Sequence, residues 1–121
     1  MSLAAWVGVA LAGGAGALAR FWVGGAVMRW AGARARGLPV GTLAVNLSGA
    51  LALGALSGAG VQGDALTVAG TGILGSYTTF STWMLESRRL AGEGRRWAMA
   101  ANLAGSLALG LGAVALGRAL A

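Results

Sequence analysis

Four stretches of this chain are apolar for about the 20 residues that a helix needs to cross the hydrocarbon of a bilayer, and together they leave little chain for anything else. They run roughly from Leu3 to Val27, Pro39 to Gly60, Ala65 to Leu85 and Trp97 to Leu120. A backbone in lipid must satisfy its own amides and carbonyls, which only helices and closed barrels achieve. The expected fold is therefore an all-α membrane protein with four transmembrane helices per subunit, forming one domain over residues 1–121. The joining segments, Met28 to Leu38, Val61 to Asp64 and Glu86 to Arg96, are too short for a further domain. Four such helices make a thin bundle with little interior for polar groups, so an oligomer is expected.

The chemistry available is narrow. There is no Cys and no His, and the only acids are Asp64, Glu86 and Glu93. Thiol catalysis, Ser-His-Asp triads, His or Cys metal sites and close carboxylate pairs are all excluded, and an enzyme is not expected. The nine basic residues are all Arg and give a net charge of +6, yet they stand between apolar runs rather than on a polar face with stacking aromatics. That pattern argues for a lipid bilayer and against nucleic acid. The first and third joining segments carry seven Arg, whereas the N-terminus, second segment and C-terminus carry only Arg118. The positive-inside rule then places the first and third segments in the cytoplasm and both termini outside. Ala17-Leu18-Ala19 resembles a signal-peptide cleavage site, but no positive residue precedes the run and Arg20 follows at once, so the run reads as a span.

Polar residues at membrane depth carry most of the information. In Gly70 to Glu86, GTGILGSYTTFSTWMLE, the apolar stretch is interrupted by Gly75-Ser76-Tyr77-Thr78-Thr79 and then resumes. One reading is a helix broken near mid-membrane, tolerated because the freed backbone groups meet protein, water or an ion, with carbonyls as ion ligands. The other is an unbroken helix whose Ser and Thr side chains bond back to their own carbonyls. Phe80 and Trp83, three apart, share a helix face that Glu86 continues. Their rings either face lipid and core or present their electropositive edges to an anion. Asn46 supplies two amide donors without a fixed charge inside the second span, and Ser106 offers a hydroxyl on the fourth. Arg20, deep in the first span, must pair with carbonyls, reach an interface or face water, and Gly13, Gly14 and Gly16 would let another backbone approach it. Small residues at four-residue spacing, Gly54 with Gly58 and Asn102 with Ser106 and Gly110, suit close helix contact.

Taken in order, GGAGALAR (Gly13 to Arg20), LPVGTLAVNLSG (Leu38 to Gly49) and GILGSYTTFSTWMLE (Gly72 to Glu86) resemble the Fluc (CrcB) family of small fluoride channels over nearly the whole chain. The resemblance implies a passive, fluoride-selective channel in a prokaryotic inner membrane, lowering cytoplasmic fluoride. It implies an antiparallel, dual-topology-type dimer of four-helix subunits with a structural sodium ion at the dimer axis. By similarity the carbonyls of Gly75 and Thr78 would ligate that sodium, and Asn46, Thr79, Phe80, Ser81, Trp83 and Ser106 would line the anion pathway, with Arg20 structural. An amide, hydroxyls and ring edges can replace fluoride's water without a bare cation that would hold the ion too long.

Two features depart from the family pattern. Trp83 stands where a second phenylalanine is usual, and its indole either presents an edge to the anion or obstructs the path. The Arg imbalance favours one orientation, which suits a heterodimer with an oppositely biased homologous chain, although a homodimer stays open. Small multidrug exporters share this size and architecture but need a membrane-buried acid in the first helix, and no Asp or Glu precedes Asp64. A non-conducting assembly protein would need no organised donors at Asn46, Phe80 and Ser106.

Overall fold

The computed structural model describes residues 1–121 and is helical throughout. Helix α1 (Leu3–Ala31) starts where the Ser2 hydroxyl accepts the Ala5 amide at 3.1 Å and stops at Gly32, whose φ of 51° suits glycine. It passes beyond the expected boundary at Val27, because Met28, Arg29 and Trp30 contain no helix breaker, and one turn of 3₁₀ helix over Gly32–Ala35 follows. Helix α2 covers Val40–Gly58. The third pass is divided into α3, residues 63–77, and α4, Ser81–Gly92; within α3 the Thr67–Leu74 segment winds in wide π turns. Helix α5 covers Arg96–Leu120 and contains a second π segment at Ala101–Gly105. The joint between α4 and α5 is shorter than expected and turns at Gly94, with φ of 76°.

Three helical stretches are long and apolar enough to cross a membrane, Leu3–Ala35, Val40–Gly58 and Arg96–Leu120. Neither piece of the third pass reaches the required length alone. Only 14 of 121 residues are buried, and Leu11, Phe21, Trp22 and Leu111 lie exposed along the flanks. An apolar exterior of this extent fits lipid or another chain and not water, which makes this a membrane protein.

The passes alternate in direction. Ser2 Oγ donates to Asp64 Oδ2 at 3.3 Å, joining the N-terminus to the second loop, and Gly58 packs on the backbone of Arg118 near the C-terminus. At the opposite end Arg89 Nη2 donates to the Gly37 carbonyl at 3.1 Å and Arg95 Nη1 to the Arg36 carbonyl at 2.8 Å. The first and third loops thus meet, gathering the seven arginines on one end. Arg34 lies over the Trp30 ring and Arg95 over Trp97, as suits aromatic and cationic side chains at an interface.

Helices α2 and α5 form the closest pair. A Cβ on Gly54 would meet the Val114 carbonyl, and one on Gly117 would meet the Leu51 carbonyl, so each helix offers a bare position to the other's backbone. Gly16 plays the same part between α1 and α3, where a Cβ would run into Ser76 Oγ and the Ile73 carbonyl. Gly13, Gly14 and Gly110 face open space.

Candidate functional site around the divided third pass

The geometry of the site begins with Thr78. Its N–H still donates to the Leu74 carbonyl at 3.0 Å, but its ψ of 161° takes the chain out of the helix. Helical structure resumes at Ser81. The back-bonding that the Ser/Thr run suggested is also present: Ser76 Oγ donates to the Gly72 carbonyl at 2.7 Å and Thr78 Oγ1 to the Leu74 carbonyl at 2.9 Å. These bonds finish α3 without carrying it further.

Asn46 meets the residue in between. Its Nδ2 donates to the Thr79 carbonyl at 2.8 Å, and its Oδ1 accepts the Thr79 N–H at 2.8 Å. One amide side chain of α2 thus pairs with both backbone groups of one residue, as a neighbouring strand would. In an unbroken helix that Thr79 N–H would donate to the Gly75 carbonyl. Thr79 in turn caps α4: its Oγ1 accepts the Thr82 N–H at 3.3 Å and donates to Thr82 Oγ1 at 3.2 Å. The sequence reading found Asn46 and Thr79 separately and missed that they bind each other. Two partners were available as signals, an amide in an apolar span and a residue with unpaired backbone groups.

A cleft of about 380 Å³ opens beside the interruption, with Asn46, Gly75, Thr78, Thr79, Phe80 and Trp83 among its lining. Phe80 is 68% exposed and meets Trp83 edge to face, with centroids 5.8 Å apart and planes at 84°. Arg20 lies on the far side of Thr79, in a smaller cleft of about 160 Å³ with Thr42 and Thr82. Its Nη1 reaches the Thr78 carbonyl at 3.5 Å, the long limit of a hydrogen bond. Gly75 and Thr78, whose carbonyls are the expected cation ligands, both line the larger cleft. No group of His, Cys, Asp or Glu side chains is placed to bind a metal.

Ser106 and Ser81 fall elsewhere. Ser106 lines a separate cleft of about 130 Å³ with Asn102, whose Oδ1 lies 3.5 Å from its hydroxyl. Ser81 is exposed in the first turn of α4. Trp83 connects the two regions, because its Nε1 donates to the Asn102 carbonyl at 3.0 Å. Asn102 Nδ2 donates to Ser87 Oγ at 2.8 Å, and Ser87 Oγ donates to the Trp83 carbonyl at 2.8 Å. The indole N–H is thereby spent on α5, which leaves ring carbons to face the cleft. Sequence reasoning missed this link, and it missed Thr42, whose Oγ1 donates to Glu86 Oε1 at 2.6 Å. Thr42 and Asn46 stand four apart on α2, so one face of that helix supports both α4 and its entrance.

The family model described as CrcB-like protein, Camphor Resistance (CrcB), matches residues 7–118. The chain is 51% identical over 120 residues to a fluoride-specific ion channel FluC 2 of Mycolicibacterium paratuberculosis, covering 99% of this chain and 96% of that one. It is 47% identical over 107 residues to a fluoride-specific ion channel FluC 1 of Rubrobacter xylanophilus, covering 88% and 84%. A FluC 1 of Symbiobacterium thermophilum is 43% identical over 120 residues, with 95% of each chain covered.

Proposed function

Because the chain belongs to the CrcB family, we propose that it is a fluoride-selective channel that lets fluoride leave the cytoplasm passively across a prokaryotic cell membrane. The observation that carries this reading is the cleft at the interruption, where an amide, two aromatic rings and backbone carbonyls gather without any fixed charge on the wall. Fluoride is small and strongly hydrated, so a pathway must return donors for the water it removes and must not bind too tightly for release. The second Nδ2 hydrogen of Asn46, free after the bond to Thr79, and the ring edge of Phe80 are the groups offered. Trp83, with its N–H held by Asn102, contributes an edge and fixes the Phe80 ring by the T-shaped contact.

The cleft is open on one side, and the exposed Phe80 calls for a second wall. A second copy or a homologous chain in the opposite orientation would supply it and would close the pathway. The names FluC 1 and FluC 2 among the relatives agree with paralogous chains, and seven arginines against one on the two ends favour a partner of opposite bias. Ser106 would join the pathway from its own cleft only where it continues past Asn102, and Thr79 and Ser81 would extend it along α4.

A sodium ion at the dimer axis fits the residues present. Gly75 and Thr78 would hold it through carbonyls that line one cleft, two from each chain, and the 3.5 Å contact from Arg20 leaves a lone pair open on Thr78. Bound there, it would supply positive potential and join the two interruptions. Arg20 would hold α1 against the Thr78 carbonyl, with Gly16 permitting the approach.

The test is fluoride efflux from liposomes that contain the purified chain, read with a fluoride electrode, first alone and then together with its oppositely biased homologue. Fluoride release with chloride retained supports the reading. Silence from both preparations, with the protein folded, refutes it.

A further inference from the structure

The division of the third pass is a problem in hydrogen bonding, since every carbonyl at the interruption has an amide four residues on that should claim it. In a continuous helix Thr79 N–H would bond the Gly75 carbonyl and Thr82 N–H the Thr78 carbonyl. Both amides are taken by side chains instead. Asn46 Oδ1 accepts Thr79 N–H at 2.8 Å, and Thr79 Oγ1 accepts Thr82 N–H at 3.3 Å. Several carbonyls at the interruption lack their helical donors, and for those of Gly75 and Thr78 the missing donor is held by a side chain.

We infer that Asn46 and Thr79 are positioning residues for a cation: by capturing the amides of Thr79 and Thr82 they keep the Gly75 and Thr78 carbonyls available as ligands. This rests on the reading of those carbonyls as sodium ligands. Asn46 then has two tasks on one side chain. One face holds the backbone that forms the cation site, and the residue also lines the cleft assigned to the anion. Anion pathway and cation site are joined through a single residue of α2. The Nδ2 bond to the Thr79 carbonyl adds rigidity, because it fixes the peptide plane on both sides of Thr79. Thr78, extended with ψ of 161°, is the joint on which that plane turns.

Thermal unfolding of the purified dimer, alone or with its oppositely oriented partner, reads the cation site without any measurement of flux. Sodium is titrated against N-methylglucamine, and the sodium concentration giving half of the rise in Tm is recorded. The wild type and Thr79→Ser, which keeps the capping oxygen, should share one midpoint. Thr79→Val and Asn46→Leu, each of which releases one amide to reclaim its carbonyl, should shift that midpoint upward about tenfold, the effect expected from one hydrogen bond. Equal midpoints in all four proteins would overturn the inference. If Asn46→Leu does not fold, the Thr79 pair decides alone. A wild type that shows no response to sodium removes the cation reading itself, and with it this role for Asn46 and Thr79.

Discussion

Asn46→Asp separates what the side chain does for the backbone from what it does for the anion. The carboxylate has the shape of the amide, so one oxygen can still accept Thr79 N–H at 2.8 Å, while the donor to the Thr79 carbonyl is lost. One neutral hydrogen bond contributes about 1 kcal/mol, and a half-buried carbonyl left facing another oxygen adds about 1–3 kcal/mol of cost. Against a typical stability of about 5–15 kcal/mol the variant should still fold and assemble. Its effect on the anion is larger. A negative charge about 4 Å from the ion, at an effective dielectric constant near 20, raises the barrier by about 4 kcal/mol, which is close to a thousandfold in rate. The assay is efflux of fluoride from liposomes, with size-exclusion profiles and Tm measured on the same preparation. The expected result is a folded dimer, a Tm lowered by a few degrees, a retained sodium response and flux reduced to the leak of empty vesicles. Flux within a few-fold of the wild type would falsify the placement of Asn46 beside the ion.

Three further outcomes are expected. Trp83→Phe removes the 3.0 Å bond from Nε1 to the Asn102 carbonyl and should lower stability by about 1 kcal/mol while flux is kept, because a ring edge remains beside Phe80; a loss of flux beyond tenfold would show that the indole itself is needed. Gly117→Val drives a side chain against the Leu51 carbonyl and should lower stability by about 1–3 kcal/mol by forcing α2 and α5 apart, so an unchanged Tm would count against that close approach. Single cysteines placed in the first and second loops should be labelled from opposite sides of the membrane, with the first loop cytoplasmic; equal labelling of each from both sides would sink the argument from seven arginines and make the homodimer the working form.

The four passes were legible because the bilayer imposes one length on every span, and apolar runs of that length are visible in any sequence. Loop pairing was legible too: passes that alternate in direction put the first and third loops on one side, and Arg89 and Arg95 do bond to Gly37 and Arg36. Exact ends were not. Composition changes at Val27 and again at Glu86, but a helix stops where a cap or a positive φ stops it, here at Gly32 and Gly94. Likewise, which glycines make contact depends on the facing helix. Gly16, Gly54 and Gly117 meet backbone while Gly13, Gly14 and Gly110 do not, although all six look alike in a chain with 23 glycines.

The interruption shows the same limit more sharply. From Gly75-Ser76-Tyr77-Thr78-Thr79 a break and a back-bonded helix were equally natural, because both satisfy the local carbonyls. What divides the pass is not local. One acceptor at the interruption, Asn46 Oδ1, comes from 33 residues earlier and takes the amide that a continuous helix would give to the Gly75 carbonyl. Thr79 supplies its own hydroxyl to the Thr82 amide, so the same residue takes part in both captures. The residues were each conspicuous alone, an amide in an apolar span and a polar run in another. Their meaning as one device required the fold that carries α2 past the third pass.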